Sequence, residues 1–130
     1  MAGFSDYLED KVLDHVFGGT AYTAPTTLYV ALYTAAPSDT GGGTEVSGGS
    51  YARQTATFTV SGTSPTQASN AAAIEYPTAT GSYGTVTSVG VFDALTSGNL
   101  LAYADLDASK VVSTGDVFRF DAGDLDITLA

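Results

Sequence analysis

The chain has 130 residues, 44% of them apolar, with eight Tyr, six Phe, no Trp and no Cys. Four basic residues stand against fourteen acidic ones, a formal charge of -10 at pH 7. Too few Lys and Arg are present to neutralise nucleic-acid phosphates or to hold an anionic membrane. Without cysteine there is no disulfide, thiolate nucleophile or zinc–thiolate site.

The length suits one domain, residues 1–130, which at this size buries roughly two thirds of the surface its unfolded chain exposes. Charged residues make up only 14% of the chain, against about a quarter in ordinary globular domains. Thr, Ser, Gly and Ala replace them, a composition suited to sheets that pack beside other subunits.

Residues 1–19 read as a helical segment. Phe4, Leu8, Val12, Leu13, Val16 and Phe17 recur at spacings of three and four. Ser5 or Asp6 can cap the start, Asp6 and Glu9 suit the positive end of the helix dipole, and Gly18-Gly19 can end it. So short a helix is marginal alone in water. Its stripe of Phe4, Leu8, Val12, Val16 and Phe17 is therefore expected to pack on this domain's sheet or between subunits, as an assembly interface. The first ten residues carry Asp6, Glu9 and Asp10 and no basic or apolar run, so they do not read as a secretory signal. No apolar run approaches the ~20 residues that span a bilayer.

Residues 20–130 read as strands and turns. Thr27 to Tyr33 alternates, then Pro37 and a Gly-rich stretch predict a flexible loop over 38–50. Tyr51 to Val60 alternates, a second loop covers 61–69, and Asn70 to Tyr76 is a short strand stopped by Pro77. Thr85 to Phe92 and Leu100 to Leu106 predict a hairpin around Thr96-Ser97-Gly98-Asn99, with Gly90 marking a bulge or a close approach. Val117 to Asp121 and Asp124 to Leu129 predict a second hairpin turning at Ala122-Gly123. One helix with seven or eight short strands predicts a mainly β domain, an antiparallel β-sandwich or jelly-roll-like fold.

Signals for chemistry are few. His15 is the sole histidine and sits on the predicted helix with no nucleophile elbow anywhere, so a structural role outweighs a triad. Asp105 and Asp107, and Asp121, Asp124 and Asp126, lack calcium-loop spacing and read as solvated strand faces rather than as a metal site or a hydrolase pair. Gly41-Gly42-Gly43 has no following Lys-Ser or Lys-Thr and is not a phosphate loop. Arg53 and Arg119 are each expected to pair with a carboxylate. Tyr22, Tyr29, Tyr33, Tyr76 and Tyr83 are candidate interface aromatics, though Tyr also packs well in sheets. No catalytic residue, cofactor or metal is expected.

Several separated motifs occur in order: Leu13-Asp14-His15-Val16-Phe17-Gly18-Gly19, Tyr22-Thr23-Ala24-Pro25, Leu28 to Thr34, Gly49 to Arg53, Gly84-Thr85-Val86 to Ala94, Gly98 to Tyr103, and Gly115-Asp116 through Leu125. In these the chain resembles small virion structural proteins of tailed bacteriophages, with Tyr83 and Ser88 where that family often shows Trp and His. The resemblance implies a non-enzymatic virion part, assembled in the host cytoplasm with other virion proteins (major capsid or tail proteins). It also implies a homo-oligomer, with a trimer plausible on symmetry grounds. Capsid decoration, a cement protein bridging capsomers, is the preferred address. The alternative is a tail or tail-fibre component that contributes to receptor or glycan binding through aromatics such as Tyr76 and Tyr83.

Overall fold

The computed structural model describes residues 3–63 and 65–129; Met1, Ala2, Ser64 and Ala130, which the expectations for the termini and the second loop included, lie outside them. It is mainly β, 44% strand and 9% helix, with antiparallel sheets in a sandwich-like arrangement.

After a two-residue strand β1 (Gly3–Phe4) comes helix α1 (Asp6–Val16). The Ser5 side chain caps α1 by accepting from the Leu8 N–H at 3.2 Å, and Phe17 is the C-cap. The strands that follow are β2 (Leu28–Ala35), β3 (Thr44–Glu45), β4 (Gln54–Ala56), β5 (Phe58–Ser61), β6 (Thr66–Asn70) and β7 (Ile74–Glu75). The last four are β8 (Gly84–Phe92), β9 (Leu100–Val112), β10 (Arg119–Phe120) and β11 (Asp126–Leu129).

The main sheet runs β1-β9-β8-β2, and β2 then pairs with β3 along one part of its length and with β4 along another. Two smaller sheets, β10-β7 and β11-β6-β5, complete the strands. The alternation of β2 explains its burial on both sides. Val30 and Leu32 enter the larger core, while Ala31 and Tyr33 enter a second cluster with Phe92, Leu100 and Tyr103. A line of rings runs through the larger core. Tyr83 meets Tyr51 edge-on at 5.7 Å, Tyr51 stacks on Tyr76 at 6.1 Å, Tyr76 meets Phe118 at 5.9 Å, and Phe118 meets Phe120 at 5.1 Å. Such pairs add about 0.5–1.5 kcal/mol each beyond the area they bury.

The predicted β8–β9 hairpin forms, with Ser97 and Gly98 at positive φ in its turn. Gly90 is a point of close approach. A Cβ there would sit 2.9 Å from Leu100 Cδ1 and 3.0 Å from Tyr33 Cε1. The register of β8 against β9 slips near Thr87, where four β9 residues, 106–109, face one residue of β8.

Four expectations need correction. The 38–50 segment is more than an open loop: Thr44 and Glu45 form β3 and Val46 is buried. The 51–60 run is not one strand. It divides at Thr57, β4 joining the main sheet and β5 the sheet with β6, so the chain crosses between layers there. Part of the second loop is strand β6, beginning at Thr66. The terminal hairpin does not exist, because β10 pairs with β7 and β11 pairs with β6. Buried Asn70 supplies the reason. Its amide donates to the Ala72 and Asp121 carbonyls, its side-chain oxygen accepts from the Leu125 N–H, and its backbone carbonyl accepts from the Gly123 N–H. The 121–125 turn is thereby pinned to β6 rather than to its own neighbours.

Candidate assembly surface

Helix α1 lies against β1 and β9. Its first turn is fixed. The buried Ser5 donates through its hydroxyl to the Leu100 carbonyl and through its N–H to the Leu101 carbonyl, and the Asp6 N–H reaches the Asp39 carbonyl at 2.9 Å. The Tyr103 hydroxyl donates to the Asp39 carboxylate, which ties the 38–41 turn to β9. The last turn is not fixed in this way. Phe4, Leu8 and Val12 are half-buried, whereas Leu13, Val16 and Phe17 are 58%, 61% and 82% exposed. Phe4, expected on a helix spanning 1–19, stands instead in β1, and the stripe is divided, Leu8 and Val12 half-buried and its second half bare. Leu13, Val16 and Phe17 stand three and four residues apart and form one apolar face.

His15 lies on this exposed turn. Its Nδ1 accepts from the Tyr22 N–H at 3.1 Å, which folds the following segment back on the helix end. That is a structural use.

Three of the five candidate tyrosines are withdrawn from the surface. Tyr33, Tyr76 and Tyr83 are buried in the protomer, and Tyr22 and Tyr29 are half-buried. Tyr76 and Tyr83 were expected beside an exposed loop as a binding platform. Instead the Tyr76 hydroxyl donates to the Val30 carbonyl at 2.7 Å and the Tyr83 hydroxyl to the Pro77 carbonyl at 3.1 Å, so both are drawn into the core. Spacing alone could not reveal this, since alternation marks a face as apolar without saying what covers it.

The expected pairing of Arg53 with a carboxylate is present, and only its partner and the reach of its network were missed. Arg53 donates to both Glu45 carboxylate oxygens at 2.9 Å and to the Ala94 and Ser97 carbonyls at 3.0 and 2.8 Å. Glu45 also accepts from the Tyr51 hydroxyl, which in turn accepts from the Leu32 N–H at 3.0 Å. Burial pushes the Glu45 carboxyl upward, but the bonds from Arg53 and Tyr51 outweigh it and hold the group below its ordinary value. Glu45 lies within the Gly-rich segment, where nothing distinguished it from a solvated charge.

Five more acids are used locally. Asp126 accepts from the Ser69 hydroxyl, Asp124 from the Asp121 N–H, Asp105 from the Ser88 hydroxyl, and Asp121 and Glu75 from Arg119. Asp124 and Asp126 do not converge on one strand face, because only Asp126 belongs to a strand. Among the described residues no three His, Asp or Glu side chains gather as a metal site, and no helix is long and apolar enough to cross a membrane.

Comparison with known proteins gives the family. The model of Podophage GP4 fiber I protein gp80 matches residues 3–128, and the chain belongs to that family of phage virion structural proteins. No curated protein matches it. The match backs the fibre alternative over capsid decoration.

Proposed function

We propose that this member of the fibre family is a non-enzymatic component of a tail fibre, incorporated into the virion through contacts with copies of itself and with other tail proteins. The observation that carries the reading is the family match over nearly the whole chain. The use of the polar groups supports it. His15, Arg53, Arg119 and the acids named above are engaged in holding turns and strands, an economy suited to a scaffold. The bare last turn of α1 supports an assembly role, because an apolar face of this kind gains by being covered. A threefold arrangement is the symmetry we favour for a fibre, since closed cyclic assemblies repeat one contact. Assembly takes place in the host cytoplasm.

Immunogold electron microscopy of intact particles tests the address. Gold on the tail or its appendages supports the fibre reading, gold spread over the head returns the protein to capsid decoration, and unlabelled particles defeat the virion reading. Removing residues 1–19 should abolish incorporation; unchanged incorporation would sink the assembly role of the helix.

A further inference from the structure

A polar cleft of about 530 Å³ opens between the start of α1, the turn at 39–43 and the β8–β9 turn. Small-molecule sites occupy about 300–1,000 Å³. The stacked rings of Tyr33 and Phe92 belong to its lining. Gly41 and Gly42, at φ +98° and +75°, give it a wall of bare backbone, where a Cβ would meet no other group within 4 Å.

One group in the cleft is left without a partner by the fold. Tyr33 is only 4% exposed, yet its hydroxyl makes no hydrogen bond within the chain. The hydroxyls of Tyr76, Tyr83 and Tyr103, buried to a similar degree, all donate to groups of the chain. Among the described residues no side-chain oxygen or nitrogen is both sealed from solvent and unpaired, so the Tyr33 hydroxyl opens on the cleft that its residue lines. Polar groups this far inside a protein are ordinarily paired. Here the pairing is left to a molecule from outside.

The other groups define what that molecule is. Asp6, Asp39 and Glu45 line the cleft against Arg53 alone, three negative charges to one positive. Arg53 has already committed its N–H groups to Glu45 and to the Ala94 and Ser97 carbonyls. An anion is therefore repelled. The Asp39 carboxylate takes one side-chain donor, the Tyr103 hydroxyl, and the Asp6 carboxylate takes none. A carboxylate has about four acceptor positions, so both have room for donors from a ligand. Burial, and then Glu45, keep the proton on Tyr33, and that proton needs an acceptor. An ammonium or guanidinium only donates, whereas a hydroxyl donates and accepts. We infer that this cleft binds a neutral, hydroxyl-rich molecule of the saccharide class, one oxygen accepting from the Tyr33 hydroxyl while neighbouring hydroxyls donate to Asp39 and Asp6. Recognition is by hydrogen bonds rather than by stacking, because the Phe92 ring already carries the Arg53 guanidinium at 3.7 Å.

The inference does not rest on the fibre reading and is tested on the purified chain. Amide spectra recorded by NMR while D-glucose, D-galactose, D-mannose and N-acetyl-D-glucosamine are added in turn should show saturable shifts at Gly41, Gly42 and Gly43 with at least one of the four. Glucose 6-phosphate, which brings an anion, should bind more weakly than glucose. Tyr33→Phe should weaken binding about three- to tenfold, the worth of one hydrogen bond. The thermal midpoint should stay put, because the hydroxyl has no partner in the chain to lose. Asp6→Ala, which leaves the Ser5 cap in place, should weaken binding in the same direction. The inference is overturned if none of the four sugars shifts these amides, or if glucosamine alone does so, which would mark a cation site. It is overturned equally if glucose 6-phosphate binds as well as glucose, or if binding survives both substitutions unchanged. None of these results bears on where gold falls on the particle.

Discussion

The Arg53 guanidinium lies 3.7 Å from the centre of the Phe92 ring. It thus joins the β8–β9 turn, through Ala94 and Ser97, to the edge strand that carries Glu45. A planar fork is needed to reach three acceptor groups while lying on a ring, and lysine offers none. Arg53→Lys should therefore lose about 2–4 kcal/mol, close to the cost of removing one partner of a buried pair, read by urea unfolding. Arg119, whose ion pairs are exposed, should tolerate Arg119→Lys with no measurable shift of the unfolding midpoint.

The Glu45 carboxyl is held below its ordinary value in the folded chain. Its contribution is complete above the pH at which it titrates unfolded, and is lost as pH falls through the depressed folded value. Stability should therefore decline on acidification, and the decline should be shallower in Glu45→Gln. Parallel acid limbs for the two proteins would contradict this.

Tyr51 patches a gap in β2. Where β2 changes partner from β4 to β3, the Leu32 N–H donates to the Tyr51 hydroxyl instead of to a strand carbonyl. Tyr51→Phe keeps the ring stack but strips Leu32 of its acceptor and Glu45 of a donor. A loss of about 2–3 kcal/mol is expected, more than a typical single hydrogen bond contributes. Hydrogen exchange at the Leu32 amide should accelerate more than at its β2 neighbours.

Burial, and then Glu45, push the Tyr33 hydroxyl up to about 12, against an ordinary value of 10.0. Burial raises Tyr51 and Tyr76 further. These groups stabilise the fold fully below the pH at which unfolded tyrosine ionises, and that stability is lost as pH rises through the raised values. Alkaline titration should therefore show a cooperative step above pH 10, with tyrosinate absorbance and loss of β-sheet circular dichroism coinciding. A simple tyrosine titration with the sheet signal intact would refute it.

Gly90 should resist substitution although its backbone is ordinary for a strand. In Gly90→Ala the new Cβ meets Leu100 Cδ1 and Tyr33 Cε1 at 2.9 and 3.0 Å, and overpacking of this kind costs about 1–3 kcal/mol. Differential scanning calorimetry should register a fall of roughly 3–10 °C.

Local signals were enough for the helix, its Ser5 cap, the β8–β9 hairpin and the packing role of Gly90, since each depends on neighbours in sequence or on one missing side chain. They failed at 117–129, where the alternation was real but the partner strands lie 44 to 63 residues back. The deciding residue, Asn70, reads as an ordinary turn polar. The assembly surface was half legible. The periodicity from Phe4 to Phe17 marked an apolar stripe, but which half would be covered depended on Ser5 reaching β9, some 95 residues away. Tyr33, Tyr76 and Tyr83 failed as interface candidates for the opposite reason: a ring suits a core and an interface equally well, and only the fold decides.

The crossing at Thr57 has a mechanical meaning. A single residue joins β4, held edge-on by β2, to β5, held by β6. The Thr57 carbonyl itself accepts from the Ala71 N–H at 2.8 Å. Force pulling the two layers apart would meet this short strap before any slack could be taken up, loading both ladders together rather than peeling one. A fibre that is tugged while its particle drifts against a surface gains resistance to shear from such a crossing, and lengthening it by a few glycines should lower the unfolding force in single-molecule pulling while leaving the thermal midpoint nearly unchanged.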